Sequence, residues 1–101
     1  MTIELELEDV STENIRKMTE LLKTDLEKLN KEVDEAEKNK NSFKKLVLQQ
    51  KLDTYEYTAA EIDYNEACDA LYTVEKKRRD LRSTINFMTL EVAEREGELE
   101  R

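Results

Sequence analysis

The chain has 101 residues, of which 42% are charged, with a formal net charge of −8, a single glycine and no proline. Folds with many strands need turns that glycine and proline supply, so this composition is typical of long helices in one small domain. The acidic balance argues against a nucleic-acid-binding surface, which must be cationic to neutralise phosphates. We therefore expect an all-α protein whose partners are proteins.

The cysteine content and the apolar runs bear on where the protein works. Cys68 is the only cysteine, so an internal disulfide is excluded and a reducing compartment is expected. The longest aliphatic run covers residues 46–48, far short of the roughly 20 residues that a membrane-spanning helix needs. The first residues show no signal-peptide pattern. We expect a cytoplasmic protein (host cytoplasm if it is viral) that does not contact the membrane.

The first ten residues differ in pattern from the rest of the chain. Ile3, Leu5 and Leu7 alternate with polar residues, and this period of two predicts a short extended arm over residues 1–10. An isolated strand is not stable, so the arm must pair with another chain or lie along a helix. Ser11 and Thr12 are suited to cap the helix that follows.

The next segment, residues 12–38, is predicted to form the first helix. Its apolar residues recur every three or four positions, as on one face of an α-helix: Ile15, Met18, Leu22, Leu26, Leu29, Val33 and Ala36. Residues 39–42 (Asn-Lys-Asn-Ser) are poor helix formers and predict a turn. The fold is then a helical hairpin, an antiparallel coiled coil with a long second helix over residues 43–96 and a single domain over 11–101. The alternative is one continuous helix with a polar patch.

The first half of the second helix carries two apolar rows. The first row comprises Leu48, Leu52, Tyr55, Ala59 and Ile62, and the second comprises Tyr57, Ala60, Tyr64 and Ala67. Positions two apart lie on nearly opposite faces of a helix. We therefore expect residues 48–67 to be covered on both sides.

The second row continues as an apolar seam to the end of the chain. The seam residues follow a three-and-four spacing, interrupted by Arg78 and Arg95, until Gly97 breaks the helix. A charged residue such as Arg78 within a seam commonly fixes helix register. The predicted interface residues are Leu71, Val74, Arg78, Leu81, Ile85, Met88, Val92 and Leu99.

A turn near residue 40 leaves this seam without a partner in the chain. The first helix would pair with residues 43–70 and end, so about 30 residues of the second helix would extend beyond it. Leaving their apolar row in water forfeits on the order of 10 kcal/mol. The sequence therefore predicts self-association through the seam, with a dimer favoured, or binding to a protein target.

Charges beside the seam indicate how two copies would meet. A parallel dimer places Lys77 opposite Arg82 and Glu91 opposite Glu96, and both pairs repel. An antiparallel dimer brings the basic stretch 76–82 toward the acidic stretch that ends in Glu98. The charges favour the antiparallel arrangement, with Lys77 near Glu98 and Arg82 near Glu96.

No pattern of residues indicates an enzyme, a cofactor site or a metal site. The carboxylates of residues 61–69 lack the histidines of helical di-metal sites, because the chain contains no histidine. They are interpreted as a solvated acidic face, and the basic stretch 76–82 as a solvated face flanking the seam. Cys68 lacks the usual base for nucleophilic chemistry. The tyrosines, which include Tyr72, are typical of cores and interfaces.

The sequence therefore predicts a non-enzymatic interaction module, a small acidic structural or adaptor protein. Two alternatives remain open on this evidence. One is a phage-type inhibitor that blocks a basic, nucleic-acid-binding surface of a target protein. The other is a small helical chaperone that offers its seam to a client helix.

Overall fold

The computed structural model describes residue 7 and residues 9–97, and these form an all-α hairpin. Helix α1 spans Thr12–Gln49 (38 residues) and helix α2 spans Tyr55–Arg95 (41 residues). The predicted fold class is confirmed. Most of the predicted arm (residues 1–6 and 8) and the end of the chain (98–101) lie outside the described residues.

The predicted turn at residues 39–42 is wrong, because α1 continues through it to Gln49. The less exposed positions of α1 keep their three-and-four spacing across this stretch, through Ala36, Lys40, Phe43 and Val47. Lys40 holds one of these positions and interrupts the apolar pattern without interrupting the helix. The helices are connected by residues 50–54 instead, so α1 is longer and α2 starts later than the sequence pattern indicated.

The turn is built from residues with the required local chemistry. Asp53 has φ of 64°, in the left-handed region that aspartate tolerates better than most residues. Thr54 caps α2, since its Oγ1 accepts a hydrogen bond from the Tyr57 amide at 3.1 Å and donates one to the Lys51 carbonyl at 2.7 Å. The bond to Lys51 closes the connection between the helices, and the bond from Tyr57 caps the start of α2.

The other helix ends match the sequence signals. The Asn14 amide donates to Ser11 Oγ at 3.2 Å, so Ser11 is the N-cap of α1. Gly97, with φ of 70°, follows the last turn of α2 and donates its amide to the Glu94 carbonyl at 3.2 Å. This is the left-handed position after a helix that glycine adopts at little cost. The predicted roles of Ser11 and Gly97 are confirmed.

The chain divides into two compact units, each containing part of both helices. Unit 1 contains the described residues up to Lys28 and those from Arg78 onward. Its core consists of Leu7, Ile15 and Met88, and Val10, Leu22 and Val92 pack against it. Ile15 and Met88 are completely buried. The inward position between Ile15 and Leu22 is Thr19, whose Oγ1 donates to the Ile15 carbonyl at 2.8 Å, whereas Met18 of the predicted stripe is 40% exposed.

Arg95 attaches the start of the chain to unit 1. Its guanidinium donates to the carbonyl oxygens of Leu7 and Val10, to Thr12 Oγ1 at 3.4 Å and to Glu91 Oε1 at 3.0 Å. A guanidinium presents five donors in a fixed fork and so can satisfy several acceptors together. Leu7 thus lies against the helices of its own chain.

Unit 2 contains residues 29–77 and the turn. Its buried residues are Val33 on α1 and Ala67 and Leu71 on α2. Tyr57, Ala60 and Tyr64 are half-buried at the spacing that leads to Ala67. The second of the two predicted rows therefore faces the core of this unit. Neither helix, over the residues described, has the length and apolarity needed to cross a bilayer.

Candidate functional site

The predicted seam lies largely inside the hairpin. Leu71 is buried in unit 2, Ile85 and Met88 are buried in unit 1, and Leu99 is outside the described residues. The remaining members are half-buried: Val74, Arg78, Leu81 and Val92. The inference that this row has no partner within the chain was wrong, because it depended on a turn near residue 40. Self-association itself stays a prediction, and it needs a different surface.

The charges beside the seam are partly used within the chain. Glu96 forms an ion pair with Arg16, and Glu91 pairs with Arg95. Lys77 and Arg82 are exposed, and Glu98 lies outside the described residues. The predicted contact of Arg82 with Glu96 of another copy would therefore compete with an ion pair that already exists in unit 1.

The three most exposed apolar side chains of the described residues lie around the turn of unit 2. Leu48 is 75% exposed, Leu52 is 72% exposed and Tyr55 is 83% exposed, and Ile62, two turns further along α2, is 54% exposed. We call these four residues the tip patch. They belong to the first predicted row, which we expected to be covered on both sides. Because Tyr57 and Tyr64 face the core, Tyr55 and Ile62 lie on the opposite side of α2.

Exposed charges of opposite sign flank the tip patch. The end of α1 and the start of the turn carry Lys44, Lys45 and Lys51. The end of the turn and the start of α2 carry acidic residues, namely Asp53, Glu56 and Glu61. Within the described part of the chain, none of these six side chains forms an ion pair. The patch thus has one basic and one acidic border.

A smaller set of exposed apolar residues occurs in unit 1. Met18 and Leu21 on α1 are 40% and 68% exposed, and Phe87 and Leu90 on α2 are 45% and 55% exposed. On average these side chains are less exposed than the tip patch. Three of the four tip-patch residues lie within residues 48–55 around the turn, whereas these four are spread along both helices. We therefore take the tip patch as the stronger candidate for a contact surface.

The side chains that are capable of proton transfer, nucleophilic attack or metal binding form no reactive arrangement among the described residues. The Tyr64 hydroxyl and the Cys68 thiol, one helical turn apart, form a hydrogen bond, and this bond is the main cause of a raised pKa of Tyr64. A raised pKa leaves less of this tyrosine in the ionised, nucleophilic form at neutral pH. Within the range that the structure describes, no group of carboxylates, with or without Cys68, is placed to hold a metal ion.

The comparisons with known proteins do not extend this assignment. The sequence matches no protein-family profile, no curated protein and no solved structure. The signal for the tip patch was present in the sequence as the row Leu48, Leu52, Tyr55, Ala59 and Ile62. The sequence pattern placed the turn at residues 39–42 instead of residues 50–54. The prediction that this row is covered was wrong as a result.

Proposed function

We propose that this protein is a non-enzymatic interaction module that self-associates through the tip patch. The observation that carries the proposal is the exposure, 72–83%, of Leu48, Leu52 and Tyr55 within eight residues of a strongly charged chain. Clustered exposed apolar side chains commonly mark protein contact sites. Tyrosine and leucine together supply the apolar area, and the tyrosine hydroxyl can stay hydrated at the rim.

The borders of the patch favour a second copy as its partner. In a two-fold symmetric contact, each copy presents the same surface in the reversed direction. The lysines at the end of α1 in one copy then approach the carboxylates at the start of α2 in the other. Such exposed pairs add little affinity, but they select orientation and disfavour partners of the wrong charge. A small acidic protein of this kind would act as a structural or adaptor element.

Sedimentation equilibrium at micromolar concentration tests the proposal. We expect the wild-type protein to form a dimer and the variant with Leu48→Asp and Tyr55→Asp to be a helical monomer. The two substitutions remove four apolar side chains from each dimer interface, two per copy. The dimer dissociation constant should therefore rise at least about a hundredfold. Circular dichroism should show little change, because both side chains are exposed in the folded chain.

The matched control carries Leu21→Asp and Leu90→Asp. These leucines are also exposed, at 68% and 55%, and their replacement changes the net charge by the same amount. We expect this control to remain dimeric. A wild-type monomer over the whole concentration range would contradict the proposal, and so would equal weakening by the two double variants.

A further inference from the structure

A groove between the two helices of unit 2 forms a second surface, separate from the tip patch. It has a volume of about 250 Å³ and is lined by Ala36, Asn39 and Phe43 on α1 and by Asp63, Glu66, Ala67 and Ala70 on α2. On α1 the lining residues are three and four apart, and on α2 they fall within the two turns from Asp63 to Ala70, so they project along one side of the hairpin. Pockets for small molecules are usually larger, about 300–1,000 Å³.

The floor of the groove consists mainly of small and apolar side chains. Ala36 and Ala67 are partly or fully buried, and Ala70 is exposed at the edge. Helices approach one another more closely where the contacting side chains are small. Phe43 is half-buried and supplies an aromatic wall. A third helix placed along this groove would therefore meet an apolar floor at short range.

The rim of the groove is acidic and unneutralised. Asp63 and Glu66 are exposed, and neither carboxylate forms an ion pair within the described residues. Their charge repels phosphates, which excludes nucleic acid and anionic lipid as favourable occupants. It attracts lysine and arginine side chains, and Phe43 lies in the same groove to contact the aliphatic part of such a side chain or its charged end.

We propose that this groove binds an amphipathic helix of a partner protein that carries lysine or arginine beside its apolar face. The apolar residues of that helix would lie on the alanine floor, and its cations would pair with Asp63 and Glu66. This is the helix-in-groove mode of recognition, in which apolar anchors recur at helical spacing. The site goes beyond the proposed self-association, since it uses a different surface and a different partner.

A designed peptide serves as the probe. It has about 20 residues, long enough to be helical, with leucine on one face, lysine beside that face and alanine elsewhere. A second peptide carries glutamate in place of lysine. Binding is measured by fluorescence anisotropy of the labelled peptides. We expect the lysine peptide to bind the wild-type protein and the glutamate peptide to bind at least tenfold more weakly.

Two variants of equal net charge separate the groove from the general acidity of the chain. Asp63→Lys with Glu66→Lys reverses the rim, and Asp69→Lys with Glu75→Lys reverses carboxylates on the same helix that do not line the groove. We expect the rim variant to weaken binding at least tenfold and the second variant to weaken it less than threefold. Ala70→Phe, which fills the groove without changing charge, should also weaken binding about tenfold.

Several results would overturn the proposal. Equal weakening by the two charge reversals would show that binding is diffuse, and absence of binding to the wild-type protein would show that the groove is not a receptor. If the variant with Asp63→Lys and Glu66→Lys were instead monomeric in sedimentation experiments in which the wild-type protein is a dimer, the occupant of the groove would be a second copy. The variant with Leu48→Asp and Tyr55→Asp should retain the peptide affinity, so failure of the tip patch and failure of the groove can be distinguished.

Discussion

Met88→Asp is expected to unfold the isolated protein. Met88 is completely buried in the core of unit 1, beside Ile15 and Leu7. Loss of the methionine side chain alone costs about 2–5 kcal/mol, and the unpaired carboxylate adds a large desolvation cost. A small domain is stable by only about 5–15 kcal/mol. The helical signal in circular dichroism and the urea transition should therefore both be lost or strongly reduced.

Asn86→Asp provides the matched control for this prediction. Asn86 lies two residues away on α2, is exposed and gains the same charge. We expect its urea midpoint to lie close to that of the wild-type protein. If Met88→Asp remained fully helical and lost only self-association, the seam would be an intermolecular contact and the core of unit 1 would be incorrectly assigned.

Arg95→Met is expected to destabilise the protein by about 2–3 kcal/mol. The arginine donates hydrogen bonds to the carbonyl oxygens of Leu7 and Val10, and its replacement leaves these acceptors without their charged partner. Methionine preserves much of the side-chain volume, so the loss reports on the hydrogen bonds rather than on packing. Urea denaturation measures the change in free energy of unfolding.

The location of the effect gives a second readout for Arg95→Met. The Val10 amide donates to the Leu7 carbonyl at 3.0 Å, and its hydrogen exchange should accelerate in the variant. Arg79→Met removes the same charge from an exposed position of α2 and should leave both measurements nearly unchanged. Arg95→Lys should recover only part of the loss, because lysine lacks the planar fork of donors. Equal effects of Arg95→Met and Arg79→Met would contradict the proposed attachment.

Local chemistry was sufficient to predict the class of fold, the start of α1 and the end of α2. The regular spacing of apolar residues predicts two long helices, and Ser11 and Gly97 mark a start and an end because a cap and a left-handed residue are properties of single positions. The described seam residues from Leu71 to Val92 lie on the less exposed face of α2. These features depend on residues close together in sequence.

The position of the turn could not be read from helix propensity alone. Residues 39–42 are poor helix formers, but each costs only a few tenths of a kcal/mol, and packing of Ala36, Phe43 and Val47 continues the helix through them. α1 ends at Gln49, the connection that follows contains Asp53 in the left-handed region, and Thr54 caps the start of α2. The sequence Asp53-Thr54 indicates this position of the turn, because aspartate and threonine both favour turns and helix caps.

The error in the turn changed the predicted site. Moving the turn from residues 39–42 to residues 50–54 gives the seam a partner inside the chain and leaves Leu48, Leu52 and Tyr55 exposed. The sequence pattern also did not predict the role of Arg95, because two of its acceptors are backbone carbonyls at separations of 85 and 88 residues. Every residue has a backbone carbonyl, so the sequence does not indicate which carbonyl oxygens accept hydrogen bonds from Arg95.

Intramolecular crosslinking gives the most direct test of the hairpin register on which both proposed surfaces depend. In a Cys68→Ser background, Arg16→Cys is combined either with Glu96→Cys or with Tyr64→Cys, and the diluted protein is treated with a short bis-maleimide. Arg16 forms an ion pair with Glu96, so we expect efficient crosslinking of 16 with 96 within one chain. A turn centred on residue 40 would instead place residue 64 opposite residue 16. Efficient 16–64 crosslinks with none between 16 and 96 would contradict the structure described above.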